Sequence, residues 1–534
     1  MVWKILLSAV LLPLALPNEI LLWGAFLPGL IALVPAFIAV HQCEHWKDAA
    51  RLGALFGAVS TALGSYWLGF FGDFAVWTIS GPIIGYMGYN YILFGFLHFT
   101  IHHKPVGYRP LRVAILWTGY EYVKSVGFLG YPWGLIAYPL ANWYALAQTA
   151  ELLGVWGLSF LGAYINAGIA EYVIQQDSPV FPWKRWSPRS APHAVAALLI
   201  MIVGAGFGHV QLQRLTVEEE FDLLVVQQNV DSWAPGAFSH ALQRAQDLTF
   251  QGLEEARTAG RSPEMVVWSE TSLRMPYDPF NTYFATTPAE LPFREFLRRI
   301  DIPLVTGAPM FIPGTARDLT NSALVIAPDG ELLGSYAKQQ LVPMAESIPG
   351  WEIPLVRTFF EEVVGLYGTW IPGRESTPLE IPRLDGSVLV AGAPICFEDA
   401  FGWVSREKAR HGARVMINLT NNSWSLQESA QIQHLVAARL RGIELRMPFV
   451  RGTNSGVTGV VDATGVLRDE LPMFVGASAV VTVPLYAPQW TLYRQIGDLG
   501  GALAAIGSLL WIGITALQEI PATAAKKRRA LGPS

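Results

Sequence analysis

Long apolar runs constrain this chain more than any other feature of its sequence. A helix needs about 20 mostly apolar residues to cross a bilayer. Hydrophobic residues make up 52% of the chain and charged residues only 15%, whereas soluble domains are about 25% charged. The candidate spans are residues 2–16, 19–40, 51–72, 76–100, 112–128, 143–174, 193–209 and 496–517. We therefore predict a polytopic α-helical membrane domain, and we interpret its first run as a retained helix rather than a cleaved signal.

Lysine and arginine are concentrated in alternate loops between these runs. The cationic segments contain Lys47 and Arg51, then Lys104, Arg109 and Arg112, then Lys184, Arg185 and Arg189, and finally the tail from Lys526 to Arg529. The intervening loops carry no lysine or arginine. Because cationic loops stay in the cytoplasm, both termini are predicted there, and the region after the seventh run is predicted on the opposite side. Lys124 does not fit this alternation, because it lies near the outer end of the fifth run. We expect its side chain to snorkel to the membrane–water interface.

Between residues 215 and 490 the pattern changes. Charged residues return, and short β-branched runs such as Leu223–Gln227 and Val415–Ile417 alternate with helical stretches, which is typical of a globular α/β domain. The sequence thus predicts a seven-helix membrane domain over 1–212, an exported domain over 213–492, and a C-terminal membrane helix with a basic tail over 493–534.

Charge and cysteine content exclude several classes of protein. The net charge of -5 provides no basic field for a nucleic acid. Cys43 and Cys396 are the only cysteines, so neither a disulfide framework nor a multi-cysteine metal site is possible. The predicted topology places the two thiols on opposite sides of the membrane. We interpret Cys43 as an ordinary loop or helix-end residue.

Three segments of the exported domain carry residues suited to acyl chemistry. Glu270 ends a strand-like run, Lys338 lies within the segment Gly334–Pro343, and Cys396 stands at the predicted end of another strand. A free thiol, with a pKa of ~8.5, needs a neighbouring base to become a nucleophile, and Glu270 suits that task if burial raises its pKa. Lys338 and the backbone N–H of Phe397 are candidate donors to an oxyanion. Taken singly, each residue also has a structural explanation: a buried thiol, a turn carboxylate and a solvated lysine.

Together, these segments resemble the carbon–nitrogen hydrolase (nitrilase) superfamily, whose triad is Glu, Lys and Cys. With the membrane runs added, the whole chain resembles the apolipoprotein N-acyltransferase family. Matching residues in the first part are Gly130–Trp133, Gln148, Gly154, Gly157–Phe160 and Asn166. In the second part they include Val226–Asn229, Leu341–Pro343, Glu346, Cys396–Glu398, Asn421–Trp424, Gln433–His434 and Arg451–Gly456.

The resemblance implies a nitrilase-like α-β-β-α sandwich on the periplasmic side of a bacterial inner membrane. Glu270 would be the base, Lys338 the cation that stabilises the intermediate, and Cys396 the nucleophile that carries the acyl group. Glu346 and Glu398 match supporting acidic positions. The implied acyl donor is a phospholipid, mainly phosphatidylethanolamine. The implied acceptor is the α-amine of the diacylglyceryl-cysteine of an apolipoprotein. The implied reaction is ping-pong through an S-acyl thioester, with neither a metal nor an organic cofactor.

The chain departs from the family pattern at several positions near these motifs, including Met344–Ala345 and Ser425–Leu426. Phe397 stands where the family usually has tyrosine, Asn422 where an acidic residue is expected, and Met447 where an arginine is expected, with Arg446 one place earlier. Because the triad is intact, we expect these departures to affect substrate details rather than the reaction.

Two other functions remain open from the sequence. A membrane-tethered amidase or nitrilase would share the triad and pass the thioester to water, and it would not need an apolar channel at Cys396. A catalytically silent scaffold or transporter-like protein is a second alternative, with Glu121 as the main ionisable residue inside the spans. The apolar segment 348–370 is expected either to face lipid as a lid or to pack locally over the core.

Overall fold

The structure is a computed structural model, and it describes residues 1–530 apart from 105, 177–190, 232–236, 316–317 and 365–367. The predicted cationic loop with Lys184, Arg185 and Arg189 lies outside the described residues. Helices of the N-terminal part are α1 Val2–Ala15, α2 Phe26–Gly29, α3 Val34–His41, α4 Trp46–Gly64, α5 Ala75–His102, α6 Arg109–Ser125, α7 Ala137–Leu140, α8 Tyr144–Ala147, α9 Ala150–Gln176 and α10 Ala191–Arg214.

The second predicted run, 19–40, is not a continuous helix. Its first residues form turns, because the side chain of Asn18 accepts hydrogen bonds from the backbone N–H groups of Ile20 and Leu21, both at 2.9 Å. Such local bonds compete with helix formation. Only α2 and α3 are helical in this run. The sixth run is likewise divided, into α8 and α9.

The prediction that Lys124 snorkels to the interface is wrong. Lys124 is buried, and its ammonium donates to the carbonyl of Trp133, because the loop after α6 folds back over the end of that helix. Glu121 is also buried, and it accepts hydrogen bonds from Trp117, Ser159 and the backbone of Ile136. Glu121 therefore ties α6 to its neighbours, which agrees with a packing function. Cys43 is buried just after α3, and its thiol donates to the carbonyl of Ala39.

Two six-stranded sheets make up the core of the second part in the described ranges. The strands are β1 Val217–Gln227, β2 Val266–Val267, β3 Leu304–Phe311, β4 Leu319–Ile326, β5 Leu332–Ala337, β6 Leu379–Pro382, β7 Val388–Gly392, β8 Val415–Thr420, β9 Phe449–Thr453, β10 Gly459–Val461, β11 Leu467–Arg468 and β12 Ala477–Tyr486. The first sheet has the order β12-β1-β2-β3-β4-β5, and the second has the order β11-β10-β9-β8-β7-β6. Strands β1, β2 and β3 are parallel, as are β7, β8 and β9.

The two sheets pack face to face and carry helices on their outer faces. Side chains such as Val225 and Val325 from one sheet and Ile417 and Val450 from the other form a single buried cluster. The helices of this part are α11 Ala237–Thr258, α12 Thr282–Thr286, α13 Phe293–Ile300, α14 Pro354–Phe359, α15 Gly402–Arg410, α16 Glu428–Leu445, α17 Leu492–Ile496 and α18 Leu499–Ala530. Helices α11–α13 cover the first sheet, and α15 and α16 cover the second. This arrangement confirms the predicted α-β-β-α sandwich.

The sandwich is fastened to the N-terminal helices through α16. Glu444 accepts a hydrogen bond from the backbone of Val155 at 2.9 Å, and Gln433 accepts one from the indole of Trp67 at 3.1 Å. Arg446 forms a buried ion pair with Glu151 at 2.6 Å. Because α16 also packs beneath the loop that carries Cys396, these contacts fix the sandwich relative to the helices that approach its strand ends.

By length and composition, two helices in the described ranges are apolar enough to cross a membrane. They span Ala150–Gln175 and Pro192–Arg214. Shorter apolar helices occupy Val2–Ala15, Phe26–His41 and Leu499–Thr515.

Candidate active site

The first sheet brings two of the predicted catalytic residues together at one edge. Glu270 follows the carboxyl end of β2, and Lys338 follows β5. Because β5 is antiparallel to β4 and β4 is antiparallel to β3, β5 ends at the same edge of the sheet as β2. The two side chains meet there, with Lys338 Nζ 3.2 Å from Glu270 Oε1.

Lys338 is fully buried between two carboxylates. Besides Glu270, Glu346 Oε1 lies 2.8 Å from its ammonium. Asn321 donates to both of these carboxylates, at 2.8 Å to Glu270 and 3.3 Å to Glu346. Burial lowers the pKa of Lys338, but Glu270 and Glu346 more than offset this effect and raise the pKa well above its ordinary value. The lysine is therefore a permanent cation in the site.

Cys396 projects from the second sheet into the same site. It follows β7 and begins a short 3₁₀ turn, Cys396–Ala400. Its φ of +50° is rare for a residue other than glycine and is typical of functional sites. Burial raises the pKa of the Cys396 thiol well above its ordinary value, and Glu270 raises it further, while Lys338 acts in the opposite direction. The resting thiol is therefore protonated and needs a base.

Glu398 connects the loop of Lys338 to the loop of Cys396. Its Oε1 accepts from the backbone N–H groups of Gln339 and Gln340, at 2.7 and 3.0 Å, and from the hydroxyl of Tyr336 at 2.8 Å. Its Oε2 accepts from the backbone N–H of Ile395 at 2.7 Å. Glu398 contacts the two loops rather than the ammonium, so it sets their relative position.

A cavity of about 800 Å³ opens over these residues. Glu270, Lys338, Glu346 and Cys396 lie on its wall. Most of the remaining lining is aromatic or apolar and comes from both parts of the chain: Trp67, Phe71, Trp77, Tyr86, Tyr89, Tyr131 and Trp133 from the helical part, and Val342, Phe359, Phe360, Trp370, Phe397 and Trp424 from the sandwich. The cavity is large enough and apolar enough for long hydrocarbon chains.

Three of the motif departures have distinct surroundings. The ring of Phe397 stacks on Trp133 with centroids 5.4 Å apart, so it belongs to the apolar wall. Asn422 donates to Gln431 at 2.7 Å and lies 3.2 Å from His434. Met447 is buried, and the neighbouring Arg446 reaches Glu151 instead.

The described residues of the apolar segment, 348–364 and 368–370, contribute to the wall of the cavity. Helix α14 is followed by a π-helical turn, Phe360–Val364, and the ring of Phe359 meets Trp77 of α5 edge to face at 6.1 Å. Phe359, Phe360 and Val364 line the cavity, while Leu355 is 80% exposed. The segment is therefore in contact with α5 next to the site.

Sequence reasoning missed two residues that the structure brings to the site. Asn321 bridges Glu270 and Glu346, but an asparagine within a strand gave no signal. His434 was visible only as part of a motif, and its Nε2 lies 3.2 Å from the carbonyl oxygen of Cys396.

Comparison with known proteins agrees with this architecture. A family profile described as the apolipoprotein N-acyltransferase N-terminal domain matches residues 8–168, and one described as carbon-nitrogen hydrolase matches residues 225–483. The structure of Nit3 from Saccharomyces cerevisiae, of the nitrilase superfamily, aligns with 50% of this chain and 91% of its own at 18% identity and a TM-score of 0.36. Residues 225–483, which include the sandwich, thus match the carbon-nitrogen hydrolase profile.

Full-length relatives narrow the class further. Apolipoprotein N-acyltransferase 2 of Treponema denticola is 35% identical over 92% of this chain and 93% of its own length. Apolipoprotein N-acyltransferase of Borreliella burgdorferi is 31% identical over 92% and 91% respectively. The chain belongs to the apolipoprotein N-acyltransferase family.

Proposed function

We propose that this enzyme moves a fatty acyl chain from a phospholipid, mainly phosphatidylethanolamine, through a thioester at Cys396, to the α-amine of the diacylglyceryl-cysteine of an apolipoprotein. The observation that carries the proposal is the cavity of about 800 Å³ with aromatic walls, which has a buried glutamate, a buried lysine and a half-buried cysteine in one place on its surface. A hydrolase of small amides or nitriles has no need of such a space.

The first half-reaction forms the thioester. Glu270 takes the thiol proton as the sulfur of Cys396 attacks the ester carbonyl of the phospholipid. The tetrahedral oxyanion is stabilised by the ammonium of Lys338 and by the backbone N–H of Phe397; losing one such donor typically costs about 2.7–4 kcal/mol of transition-state stabilisation. When the C–O bond breaks, the departing lysophospholipid alcohol receives the proton from Glu270.

The second half-reaction regenerates the enzyme. The uncharged α-amine of the apolipoprotein attacks the thioester carbonyl, and Glu270 accepts the proton that the amine loses. Collapse of the second oxyanion breaks the C–S bond, and the released sulfur takes that proton back. The product is an amide, and Glu270 and Cys396 return to their starting states. No metal or organic cofactor takes part in the proposed steps.

Glu346 and Glu398 support this chemistry without reacting. Glu346, like Glu270, forms an ion pair with Lys338, and its Oε1 lies 2.8 Å from the ammonium. This ion pair keeps the ammonium in the site. Glu398 holds the loops of Lys338 and Cys396 together through four hydrogen bonds. Phe397 contributes its backbone to the oxyanion and its ring to the apolar wall.

We further propose that residues 1–212 and 493–534 anchor the enzyme in the bacterial inner membrane and that 213–492 form the periplasmic catalytic domain. Outward-facing apolar side chains on two helices support this. On α10, Leu198, Leu199, Ile202 and Val203 are more than half exposed, and on α18, Leu503, Ile506, Leu509 and Leu510 are too. Apolar patches of this kind are unfavourable in water and favourable in lipid.

Intact-mass measurement tests the proposal. Purified enzyme mixed with phosphatidylethanolamine should gain the mass of one acyl group, and Cys396→Ala should gain none. Cys43→Ala is the matched control, because it removes the other thiol and should be acylated normally. Addition of a diacylated lipopeptide should discharge the adduct into an amide. An adduct of equal yield on Cys396→Ala refutes the nucleophile, and discharge only to free fatty acid favours the hydrolase alternative.

A further inference from the structure

His434 lies beside the nucleophile but takes no part in the steps above. It belongs to α16, is 5% exposed and lines the cavity. Its Nε2 lies 3.2 Å from the carbonyl oxygen of Cys396 and 2.7 Å from Asp399 Oδ1. His434 therefore contacts the peptide of the nucleophile directly.

Hydrogen bonds around Asn422 decide which nitrogen of His434 carries the proton. The backbone carbonyl of Asn422 only accepts, and Gln431 Nε2 donates to it at 3.2 Å. Gln431 therefore presents its Oε1 to Asn422, whose Nδ2 donates to it at 2.7 Å. The same Nδ2 lies 3.2 Å from His434 Nδ1, so Nδ1 is an acceptor without a proton. This network places the ring proton of His434 on Nε2.

Among the residues that the structure describes, the N–H at Nε2 is one of two donors to the carbonyl of Cys396. The second is Asn418 Nδ2 at 3.3 Å, whose amide is oriented because Thr420 donates to its Oδ1 at 2.5 Å. Asp399, paired with Arg451, flanks the same N–H of His434 and holds the ring in place. Cys396 has a φ of +50°, and these bonds hold its peptide in that uncommon conformation.

A planar trans peptide joins this carbonyl to the oxyanion donor. The C=O of Cys396 and the N–H of Phe397 lie in one plane and point in opposite directions, so fixing the first fixes the second. We propose that His434 is a positioning residue that, together with Asn418, aims the Phe397 N–H at the oxyanion. This inference rests on the proposed function, because only acyl transfer at Cys396 creates an oxyanion there.

Two reactions of the same thiol test the inference. Acylation by p-nitrophenyl butyrate passes through an oxyanion, whereas alkylation by iodoacetamide is a direct displacement with none. In a Cys43→Ala background, His434→Leu should slow acylation about 10- to 100-fold, less than the roughly 100- to 1000-fold effect of deleting a whole donor. It should change alkylation less than twofold. His434→Gln, which places an amide N–H near the Nε2 position, should recover most of the acylation rate.

His434→Asn provides a second comparison if the leucine variant fails to fold. The shorter asparagine side chain does not reach the carbonyl of Cys396, so this variant should also be acylated slowly. Equal slowing of acylation and alkylation would show a merely structural contribution and overturn the inference. So would normal acylation by His434→Leu or His434→Asn, or a glutamine variant no faster than the asparagine variant. If unsubstituted His434 enzyme is alkylated at Cys396 but never acylated by ester or phospholipid, the proposed function itself fails.

Discussion

The two carboxylates that face Lys338 have different second partners. Glu270 Oε2 accepts from the backbone N–H of Asn421 at 3.0 Å, which ties it to the end of β8 and the second sheet. Glu346 Oε2 accepts a hydrogen bond from the backbone N–H of Val342 at 2.8 Å, and this bond closes the turn between Val342 and Glu346. Glu270 is thus placed to reach Cys396. Glu346 balances the charge of Lys338 and also stabilises the local turn.

Glu346→Gln should separate these two contributions. The amide oxygen can still accept from Lys338, but the new NH₂ then faces the N–H of Val342, and two donors cannot pair. We expect the free energy of unfolding to fall by about 1–3 kcal/mol, the cost of one unsatisfied buried group, and acylation to slow. Chemical denaturation in detergent measures the first effect. Glu375→Gln, at an exposed position, should stay within about 0.5 kcal/mol; similar losses in both variants would contradict the explanation.

The pH dependence of alkylation should report the environment of Cys396. The thiolate is the reactive form, and a raised pKa means that its fraction keeps growing as pH increases. In a Cys43→Ala background, the iodoacetamide rate should therefore rise about tenfold per pH unit from pH 6 to 9 without a plateau. The cysteine of an unstructured peptide, with a pKa of ~8.5, should begin to level off. A plateau of the enzyme rate below pH 8 would show that the thiol is not held protonated.

At the scale of elements, local pattern predicted the sandwich well. The apolar β-branched runs became β1–β4, β7, β8 and β10, and the placement of Glu270 and Cys396 at strand ends followed from them. Strands β5, β6, β9, β11 and β12 were not among the predicted runs, so the position of Lys338 after β5 was not predicted. The break at 19–25 depends on the side chain of Asn18, and the burial of Lys124 depends on a returning loop. A hydropathy pattern cannot predict such contacts, because they depend on how the folded chain places individual polar groups and not on the average composition of a segment.

Helix α9 contains a further element that only the structure explains. Gly154 has φ +63° and ψ -160°, a conformation almost restricted to glycine. A Cβ there would lie 2.5 Å from the ring of Tyr493 and 3.1 Å from Glu444 Oε1. The kink thus lets the sandwich and α17 approach the helix closely.

Gly154→Ala should therefore lower the free energy of unfolding by about 2–4 kcal/mol, from backbone strain and overpacking together. Thermal unfolding in detergent is the measurement. Gly168→Ala lies on the same helix, where an added Cβ meets only His193 at 4.0 Å, and it should be neutral or stabilise by up to about 1 kcal/mol. An alanine tolerated equally at both positions would mean that the kink is not required for docking.

At the scale of the whole molecule, the two parts depend on each other for the site. The sandwich supplies Glu270, Lys338 and Cys396, and the helices supply much of the aromatic wall through Trp77, Tyr86 and Trp133. The proposed function needs two lipidated substrates in one site, which requires that the cavity and the bilayer share a boundary. Under that proposal the orientation of the chain in the membrane is part of the mechanism, and the alternating charges of the sequence predict that orientation.

Fusions of a periplasm-active phosphatase and a cytoplasm-active fluorescent protein test that orientation. Truncation after residue 215, where α10 has ended, should give phosphatase activity and no fluorescence. Truncation after Lys47, in the first turn of α4, should give the opposite pair of signals, because lysine and arginine keep a flanking segment in the cytoplasm. Replacing Lys47 and Arg51 by glutamine should weaken that cytoplasmic signal. A cytoplasmic signal at 215 would put Cys396 on the side opposite to the one that the loop charges predict, and the number of spans before the sandwich would have to be even.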